Sequence, residues 1–458
     1  MRAPAVPLIL LLLVAGLAGC ASDPEPASDD ATVVPDEPTR KHVVLAVIDT
    51  GVNPYHAEFQ ELYDDRDPAG YIPGYPADVE VLRLSAWDGD ASGPNRARAD
   101  ADVWQETRPG VLYRYEGTKI VGHISFGGDL PGSGHGTMTA SRATGDTISV
   151  GGPDVRLVMV QGFTVEAIDW VAEQDWIDMA SISSGISLGG VAPGAANAEN
   201  QAGIEAFQRL AHRKPFFASS GNGVGNAGVL GFPTWLRGPS GAPDVISVGA
   251  NENGDMAVWH NWQPYIVGDG CGNPSAQDGT ADEVRDTGGG TSSATPFSAG
   301  TGAALLLEAR RLLDDAHVGV RWSEEAVPSW RGWDSLSEAD ARIVLARGEA
   351  GLVSDGPLAD GVLTAQEFKD VLYHTALPDG TEDASDGAEA CQTTARAVGD
   401  DGTVPMEGRA FFQGYGEVNA ASLERGVAVL GGGPLPERPV EDAAYADAHL
   451  LRQQTYLG

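Results

Sequence analysis

Residues 43–51 read VVLAVIDTG, an apolar and mostly β-branched run that ends on Asp49, Thr50 and Gly51. A continuous apolar run of this kind is typical of a strand that is buried on both faces of a parallel sheet covered by helices. The strand would deliver the Asp49 carboxylate at its carboxyl end. Taken alone, Asp49 would serve equally well to cap a turn or the start of a helix.

Further apolar runs alternate with helical patterns, which predicts an α/β fold with a mostly parallel sheet flanked by helices. We expect strands at residues 155–160, 176–183, 216–219 and 245–250, and helices at residues 165–173, 202–213, 294–311 and 363–372. The helix after Ala294 is rich in Ala and Leu and ends on the basic pair Arg310 and Arg311, as suits a helix carboxyl end. Pro296 is expected in its first turn, where the missing N–H costs no hydrogen bond.

Two more segments carry residue types that fit acyl transfer. Residues 134–137 read GHGT, and residues 290–296 read GTSSATP at the start of the predicted helix. A serine hydroxyl needs an imidazole to take its proton and return it to the leaving amine. A buried carboxylate orients that imidazole and stabilises the imidazolium. Ser292, His135 and Asp49 are therefore candidates for nucleophile, general acid/base and orienting acid, although singly His135 also fits a structural histidine and Ser292 a helix cap.

These three segments, in this order, resemble the signatures of the subtilisin-like serine peptidases, the subtilase family. The first match continues through residues 52–59, with Ala57 where the family usually has Pro, and the third through residues 297–300, with Ser298 where a β-branched residue is common. The resemblance implies a subtilisin-like, doubly wound domain at residues 41–431. It also implies a serine endopeptidase that cleaves peptide or protein substrates through an acyl-enzyme and requires no cofactor for the chemistry.

The resemblance extends to the surroundings of the nucleophile. Residues 215–223, PFFASSGNG, are similar to the family's oxyanion strand, which makes Asn222 the candidate side-chain donor beside the backbone amide of Ser292. Alone, Asn222 would indicate an Asn-Gly turn. The resemblance places the walls of the primary specificity pocket at Ser181, Ile182, Ser183, Ala218, Ser219 and Ser220. The alternative is that these small residues merely end strands.

Two insertions interrupt the resemblance. The first, at about residues 60–122, contains acidic groups at residues 88–90 and 100–102. Carboxylates clustered on a loop are suited to a structural calcium ion, whereas the lack of an EF-hand pattern favours an acidic, solvated loop. The second, at about residues 314–361, carries Trp322, Trp330 and Trp333 and would either cover part of the cleft or form a lid.

The amino terminus predicts export. Residues 8–13 form an apolar stretch that is too short for a membrane span, and residues 17–20, LAGC, resemble a bacterial lipobox. Residues 1–20 are therefore expected to be a lipoprotein signal peptide, and residues 21–40 a flexible acidic linker too short for a pro-domain. We expect an extracytoplasmic protein held at a membrane surface by lipid on Cys20. The alternative is a secreted protein with an incidental cysteine.

Composition limits the partners. Acidic residues number 65 against 29 basic ones, and the formal charge of -36 argues against nucleic-acid binding. With Cys20 lipidated, Cys271 and Cys391 would either pair or remain free thiols, and no Cys-X-X-Cys metal motif is present. Residues 432–458 form an acidic tail.

Two other functions fit parts of the sequence. A second Asp-Thr-Gly at residues 286–288 would suit an aspartic peptidase, but residues 284–285 are not an apolar strand and the many helices do not suit that all-β family. The other is a catalytically silent lipoprotein that uses the subtilase fold as a binding module. Such a protein would be expected to lack one of the three catalytic candidates, and Asp49, His135 and Ser292 are all present.

Overall fold

A computed structural model describes residues 41–60, 66–90, 93, 95–132, 134–184, 198–222, 245–252, 255–256, 264–314, 318–321, 357–358, 363–377 and 414–436. The predicted signal peptide with Cys20, the linker, most of the second insertion, Cys391 and most of the acidic tail lie outside these residues.

The described residues form fourteen strands. They are β1 (Val43–Asp49), β2 (Glu80–Leu82), β3 (Tyr113–Tyr115), β4 (Ile120–Ser125), β5 (Val155–Gln161), β6 (Met179–Ile182), β7 (Phe216–Ser219), β8 (Val245–Glu252), β9 (Asp255–Met256), β10 (Ile266–Asp269), β11 (Cys271–Ala276), β12 (Val284–Gly289), β13 (Val320–Arg321) and β14 (Leu363–Thr364). Ten of them form one sheet in the order β10-β8-β7-β6-β1-β5-β4-β3-β2, with β9 beside β8. Every neighbouring pair from β10 to β4 is parallel, which confirms the predicted mostly parallel α/β fold.

Helices cover both faces of this sheet. The α-helices among the described residues are α1 (Ala101–Glu106), α2 (His135–Thr144), α3 (Val165–Glu173), α4 (Ala198–Arg213), α5 (Thr291–Leu312), α6 (Ala365–Thr375) and α7 (Ala420–Leu430). Val43, Leu45 and Val47 of β1 pack in the layer of α2 and α5, and the residues between them pack in the layer of α3 and α4. Because successive side chains of a strand point to opposite faces, a strand covered on both sides has to be apolar throughout.

The predicted elements differ from the observed ones mainly at their ends. The strand predicted from residue 176 begins at Met179, because the Asp178 carboxylate accepts a hydrogen bond from Val44 N (2.8 Å) that strand pairing would otherwise use. The helices predicted from residues 202 and 294 begin at Ala198 and Thr291. Residues 284–285, which we expected not to form an apolar strand, begin the strand β12, and both are exposed.

The described residues of the first insertion are folded. Its strands β2 and β3 extend the sheet, and Asp100 is buried, where it accepts hydrogen bonds from Tyr55 Oη (2.8 Å) and from Ser85 N and Oγ (2.9 and 2.7 Å). The prediction of a solvated acidic loop is therefore wrong for Asp100. Across the described part of the chain, no three or more His, Cys, Asp or Glu side chains are grouped so as to hold a metal ion. Structural calcium stays a prediction.

The two edges of the ten-stranded sheet differ. At one edge, β2 is three residues long, and Glu80 on it pairs with Arg108 at 2.7 Å. At the other edge, Val267 of β10 is hydrogen bonded to Gly416 O (3.0 Å) and Val418 N (2.9 Å). Of the helices that the structure describes, none combines the length and the apolar character needed to span a bilayer.

Cys271, the first residue of β11, is disulfide-bonded, and its partner lies outside the described residues. Pairing with Cys391 in particular stays a prediction. The cysteine is buried at the base of the β11–β12 hairpin, which leads directly into the helix of Ser292.

Candidate active site

The segments predicted to carry the chemistry meet at the carboxyl edge of the sheet. Asp49 ends β1, Ser183 follows β6 and Asn222 follows β7, and these three strands are parallel neighbours. The chain runs through β4 and β5 on one side of β1 and then crosses to β6 on the other side. In open α/β sheets, ligands bind at the carboxyl ends of the strands where the strand order reverses in this way.

Asp49 and His135 form a hydrogen-bonded pair. Nδ1 of His135, the first residue of α2, lies 2.9 Å from both carboxylate oxygens of the fully buried Asp49. The carboxylate also accepts hydrogen bonds from Thr50 N (2.7 Å) and Thr139 Oγ1 (3.0 Å). A carboxylate can only accept, so the proton of the neutral imidazole lies on Nδ1 and Nε2 is left as the free base.

The electrostatics of this pair act on the imidazole. Burial lowers the pKa of His135, but the hydrogen bond and the negative charge of Asp49 together outweigh burial, so the pKa lies above its ordinary value of 6.5. An imidazolium formed at His135 would thus be stabilised by the Asp49 carboxylate.

Glycines allow the Asp49 and His135 segments to touch. A Cβ on Gly136 would lie 1.9 Å from Gly51 O, and a Cβ on Gly51, which has φ +117°, would lie 2.3 Å from Pro131 O. The Gly136 amide also donates to Thr50 Oγ1 at 3.0 Å. Glycine at positions 51 and 136 is therefore a packing requirement of the contact between the two segments.

Ser292 is the second residue of α5. Its hydroxyl donates to Ser183 O at 3.2 Å, and Ser183 Oγ donates to Ser292 O at 3.0 Å. Because α5 begins at Thr291, Pro296 lies in the second turn, and the prediction of a first-turn proline is wrong. An N–H at position 296 would have bonded Ser292 O, four residues earlier, so the proline frees the carbonyl that Ser183 occupies.

The described residues contain no hydrogen bond between Ser292 and His135. In this arrangement the serine hydroxyl faces the Ser183 carbonyl instead, and the three groups do not form one hydrogen-bonded line. A proton transfer from Ser292 to His135 would require Ser292 Oγ to exchange Ser183 O for His135 Nε2. Catalytic hydrogen bonds often form only when substrate is present.

Asn222 is held in one orientation by Thr291, a residue that the sequence reasoning missed. Asn222 Oδ1 accepts hydrogen bonds from Thr291 N and Thr291 Oγ1, both at 2.9 Å. These two donors identify the oxygen, so Nδ2 points away from them, and it donates to no residue that the structure describes. Gly290, with φ +77°, leaves room for this amide, since a Cβ there would lie 2.7 Å from Nδ2.

The residues predicted to form a specificity pocket lie on or just after β6 and β7. Ile182 pairs with Ala218, and both are buried within the sheet together with Ser181. Ser183 Oγ donates to Ser292 O, and Ser220 N donates to Val248 O at 2.8 Å. Residues 185–197 and 223–244, which continue from these strands, lie outside the described residues, so the pocket stays a prediction.

The second Asp-Thr-Gly segment takes no part in this arrangement. Asp286 is exposed on β12 and makes no hydrogen bond to any described residue. Asp49 pairs with a histidine, whereas an aspartic peptidase would need it to face a second carboxylate.

Solved structures of proteases and one protein family are similar to this chain. Similar solved structures include the patellamide maturation protease PatA, with 17% identity, 86% of this chain and 99% of that chain covered, and a TM-score of 0.42. The prenylagaramide maturation protease PagA is 16% identical, with 84% of this chain and 93% of that chain covered and a TM-score of 0.40. A lanthipeptide protease is 16% identical, with 84% and 88% covered and a TM-score of 0.41. No curated protein sequence matches the chain. The model of the subtilase family matches residues 40–319, more than half of the 458 residues, and the chain belongs to that family.

Proposed function

We propose that the chain is a serine endopeptidase that hydrolyses peptide or protein substrates through an acyl-enzyme. The observation that carries the proposal is the Asp49–His135 pair, with both carboxylate oxygens 2.9 Å from Nδ1, at the sheet edge where the helix of Ser292 begins. A serine or a histidine that takes no part in such a reaction would need no buried carboxylate partner.

The proposed reaction uses only side-chain and backbone groups of this chain. Ser292 Oγ attacks the scissile carbonyl carbon and gives its proton to His135 Nε2. Asn222 Nδ2 and the Ser292 amide donate to the oxyanion that forms. His135 then protonates the leaving amine, and the C–N bond breaks to leave an acyl-enzyme. Water attacks this ester, with His135 as base, and the carboxylic acid and the free Ser292 hydroxyl are released. No cofactor takes part in these steps.

A fluorophosphonate probe tests the proposal directly, because it reacts with a serine that an adjacent base activates. Incubation of the full chain with the probe, followed by mass spectrometry of tryptic peptides, should locate the label on Ser292. The second candidate, a catalytically silent binding module, is favoured by the hydrogen bond that turns Ser292 towards Ser183. It predicts a folded protein that stays unlabelled, and that result would overturn the peptidase proposal.

Asn222→Ala is expected to lower kcat by about 10²- to 10³-fold with little change in KM, since the Nδ2 donor is aimed at charge that develops only in the transition state. Steady-state kinetics on a peptide cleaved by the wild type measure this. Asn222→Asp, which keeps the shape and replaces the donor with an acceptor, is the matched variant and should lose at least as much. A kcat within about twofold of wild type in both variants would remove Asn222 from the oxyanion site.

We further propose that the protein is exported and anchored to a membrane surface through lipid on Cys20, on the basis of residues 1–20. In a bacterial host that processes lipoproteins, Cys20→Ser should abolish incorporation of an alkyne-labelled fatty acid and move the protein from the membrane to the soluble fraction. Ser22→Ala, two residues away, should behave as wild type. Unchanged labelling of the Cys20 variant would contradict the anchor.

A further inference from the structure

The turn between β11 and β12, residues 277–283, lies against the segment that follows Asp49. Asn53 Nδ2 donates to Thr280 O at 2.6 Å, and Ala57 N donates to Ala281 O at 2.7 Å. His56 Nε2 is hydrogen bonded to Glu283 O at 3.0 Å. The turn is therefore fixed to the loop that leaves the carboxyl end of β1.

The same turn caps the helix of His135. Asp278 Oδ2 accepts a hydrogen bond from Gly134 N at 2.6 Å, and Asp278 Oδ1 accepts one from Thr137 Oγ1 at 3.1 Å. Gly134 is the N-cap of α2 and has no side chain to satisfy the free N–H groups there. A carboxylate at this position satisfies a donor and is favoured by the helix dipole. A residue distant in sequence thus supplies the cap that α2 lacks locally.

Asn95 of the first insertion holds this carboxylate. Its Nδ2 donates to Asp278 Oδ1 and, at 3.2 Å, to Gly132 O, while its Oδ1 accepts from Gly279 N at 2.9 Å. Asn95 is completely buried and has φ +63°, a conformation that Asn adopts more readily than other non-glycine residues. The carboxamide therefore joins the turn at Asp278 to the loop that enters α2.

Thr137 completes the connection to the loop that follows Asp49. Its hydroxyl, which donates to Asp278, accepts from Asn53 N at 3.0 Å. The loop after Asp49, the first turn of α2, the β11–β12 turn and the first insertion are thereby linked in one hydrogen-bonded chain.

We propose that Asp278, held by Asn95, is a positioning residue for His135. Asp278 acts through Gly134 and Thr137 to fix the amino end of α2. His135 Nδ1 then remains hydrogen bonded to Asp49, and His135 Nε2 remains directed at Ser292. For its kinetic consequences this inference rests on the proposed peptidase function. It gives the first insertion a part in catalysis, although that insertion contributes no group to the reaction itself.

Two variants and one control test the positioning role in the full chain. Asp278→Asn keeps the side-chain shape but replaces one acceptor oxygen with a donor, and Asn95→Gly removes the carboxamide while tolerating the positive φ. Each should lower kcat by about 10- to 100-fold with KM nearly unchanged, the size of effect expected from a small displacement of a catalytic group. The double variant should lose less than the product of the two single losses, because the residues act as one unit. Asp282→Asn, on the same turn, exposed and without a hydrogen bond to any described residue, should behave as wild type.

A second measurement separates this inference from the proposed function. The pKa of His135, followed by NMR titration in a Ser292→Ala background, should fall in both variants, because a displaced ring loses contact with the Asp49 charge, and should not change in Asp282→Asn. This titration needs no peptidase activity, so it decides the positioning role even if the wild type cleaves no peptide. Folded Asp278→Asn and Asn95→Gly proteins with unchanged kcat and unchanged His135 pKa would overturn the inference. An equal effect in Asp282→Asn would overturn it as well, since the loss would then reflect charge alone.

Discussion

Replacing Ser292 with Ala is expected to lower kcat for peptide hydrolysis by about 10⁶-fold and to abolish labelling by a fluorophosphonate probe. The substitution removes the oxygen that forms the acyl-enzyme. Neither partner can replace it, because His135 only accepts and returns the proton of that oxygen and Asp49 only orients His135. The residual rate above the uncatalysed reaction would come from the oxyanion donors and from substrate binding. Steady-state kinetics on equal concentrations of the purified wild type and variant measure the loss.

Ser293→Ala is the matched control for this prediction. Ser293 is the next residue of α5, and its buried Oγ has no hydrogen-bond partner among the described residues, so its removal should leave kcat unchanged. If Ser292→Ala retained activity while Ser293→Ala lost it, the nucleophile would have been assigned to the wrong hydroxyl. Retained activity in both would exclude the serine mechanism.

Asp49→Asn is expected to lower kcat by about 10⁴-fold. Thr50 N and Thr139 Oγ1 both donate to the carboxylate, so an amide at this position has to turn its NH₂ group towards a donor or towards His135 Nδ1. In the second case the imidazole proton moves to Nε2, and the nitrogen that should accept the serine proton is blocked.

The pH profile gives the same variant a second readout. His135 must be neutral to act as base, and its pKa is raised above 6.5, so wild-type kcat/KM should fall as the pH drops through that raised value. Removing the Asp49 charge lowers the pKa, and the acid limb of the residual activity should therefore move to lower pH. Asp102→Asn, an exposed acid that forms no hydrogen bond with a described residue, controls for net charge and should leave the profile unchanged. An acid limb that does not move in Asp49→Asn would show that Asp49 does not set the protonation of His135.

The fold and the candidate residues could be predicted from the sequence because their signals are local. The apolar run before Asp49 indicates a strand covered on both faces, and the Ala- and Leu-rich stretch after Ser292 indicates a helix. The predicted ends of strands are less accurate where a side chain takes the place of a backbone hydrogen-bond partner. Trp176 and Ile177 are apolar and buried, but the Asp178 carboxylate takes Val44 N and delays the start of β6.

The supports of the site could not be predicted, because they join residues far apart that share no periodicity. Thr291 fixes Asn222 across 69 positions, and Asp278 reaches Gly134 across 144. Asp278-Gly279 is an ordinary turn dipeptide in the sequence. The structure buries Asp100, but nothing in the sequence of the acidic insertion distinguishes this residue from its solvated neighbours. Only the packed arrangement shows which carboxylates receive hydrogen bonds.

The pairing of β10 with residues 416–418 has a consequence for behaviour at high concentration. Exposed sheet edges allow proteins to polymerise by backbone pairing between molecules. Here one edge is already occupied by the chain's own carboxyl-terminal segment, and the other ends in a three-residue strand that carries the Glu80–Arg108 pair. Crowded copies are therefore expected to remain separate at both edges of the sheet, and ordered aggregates of this protein would have to begin elsewhere.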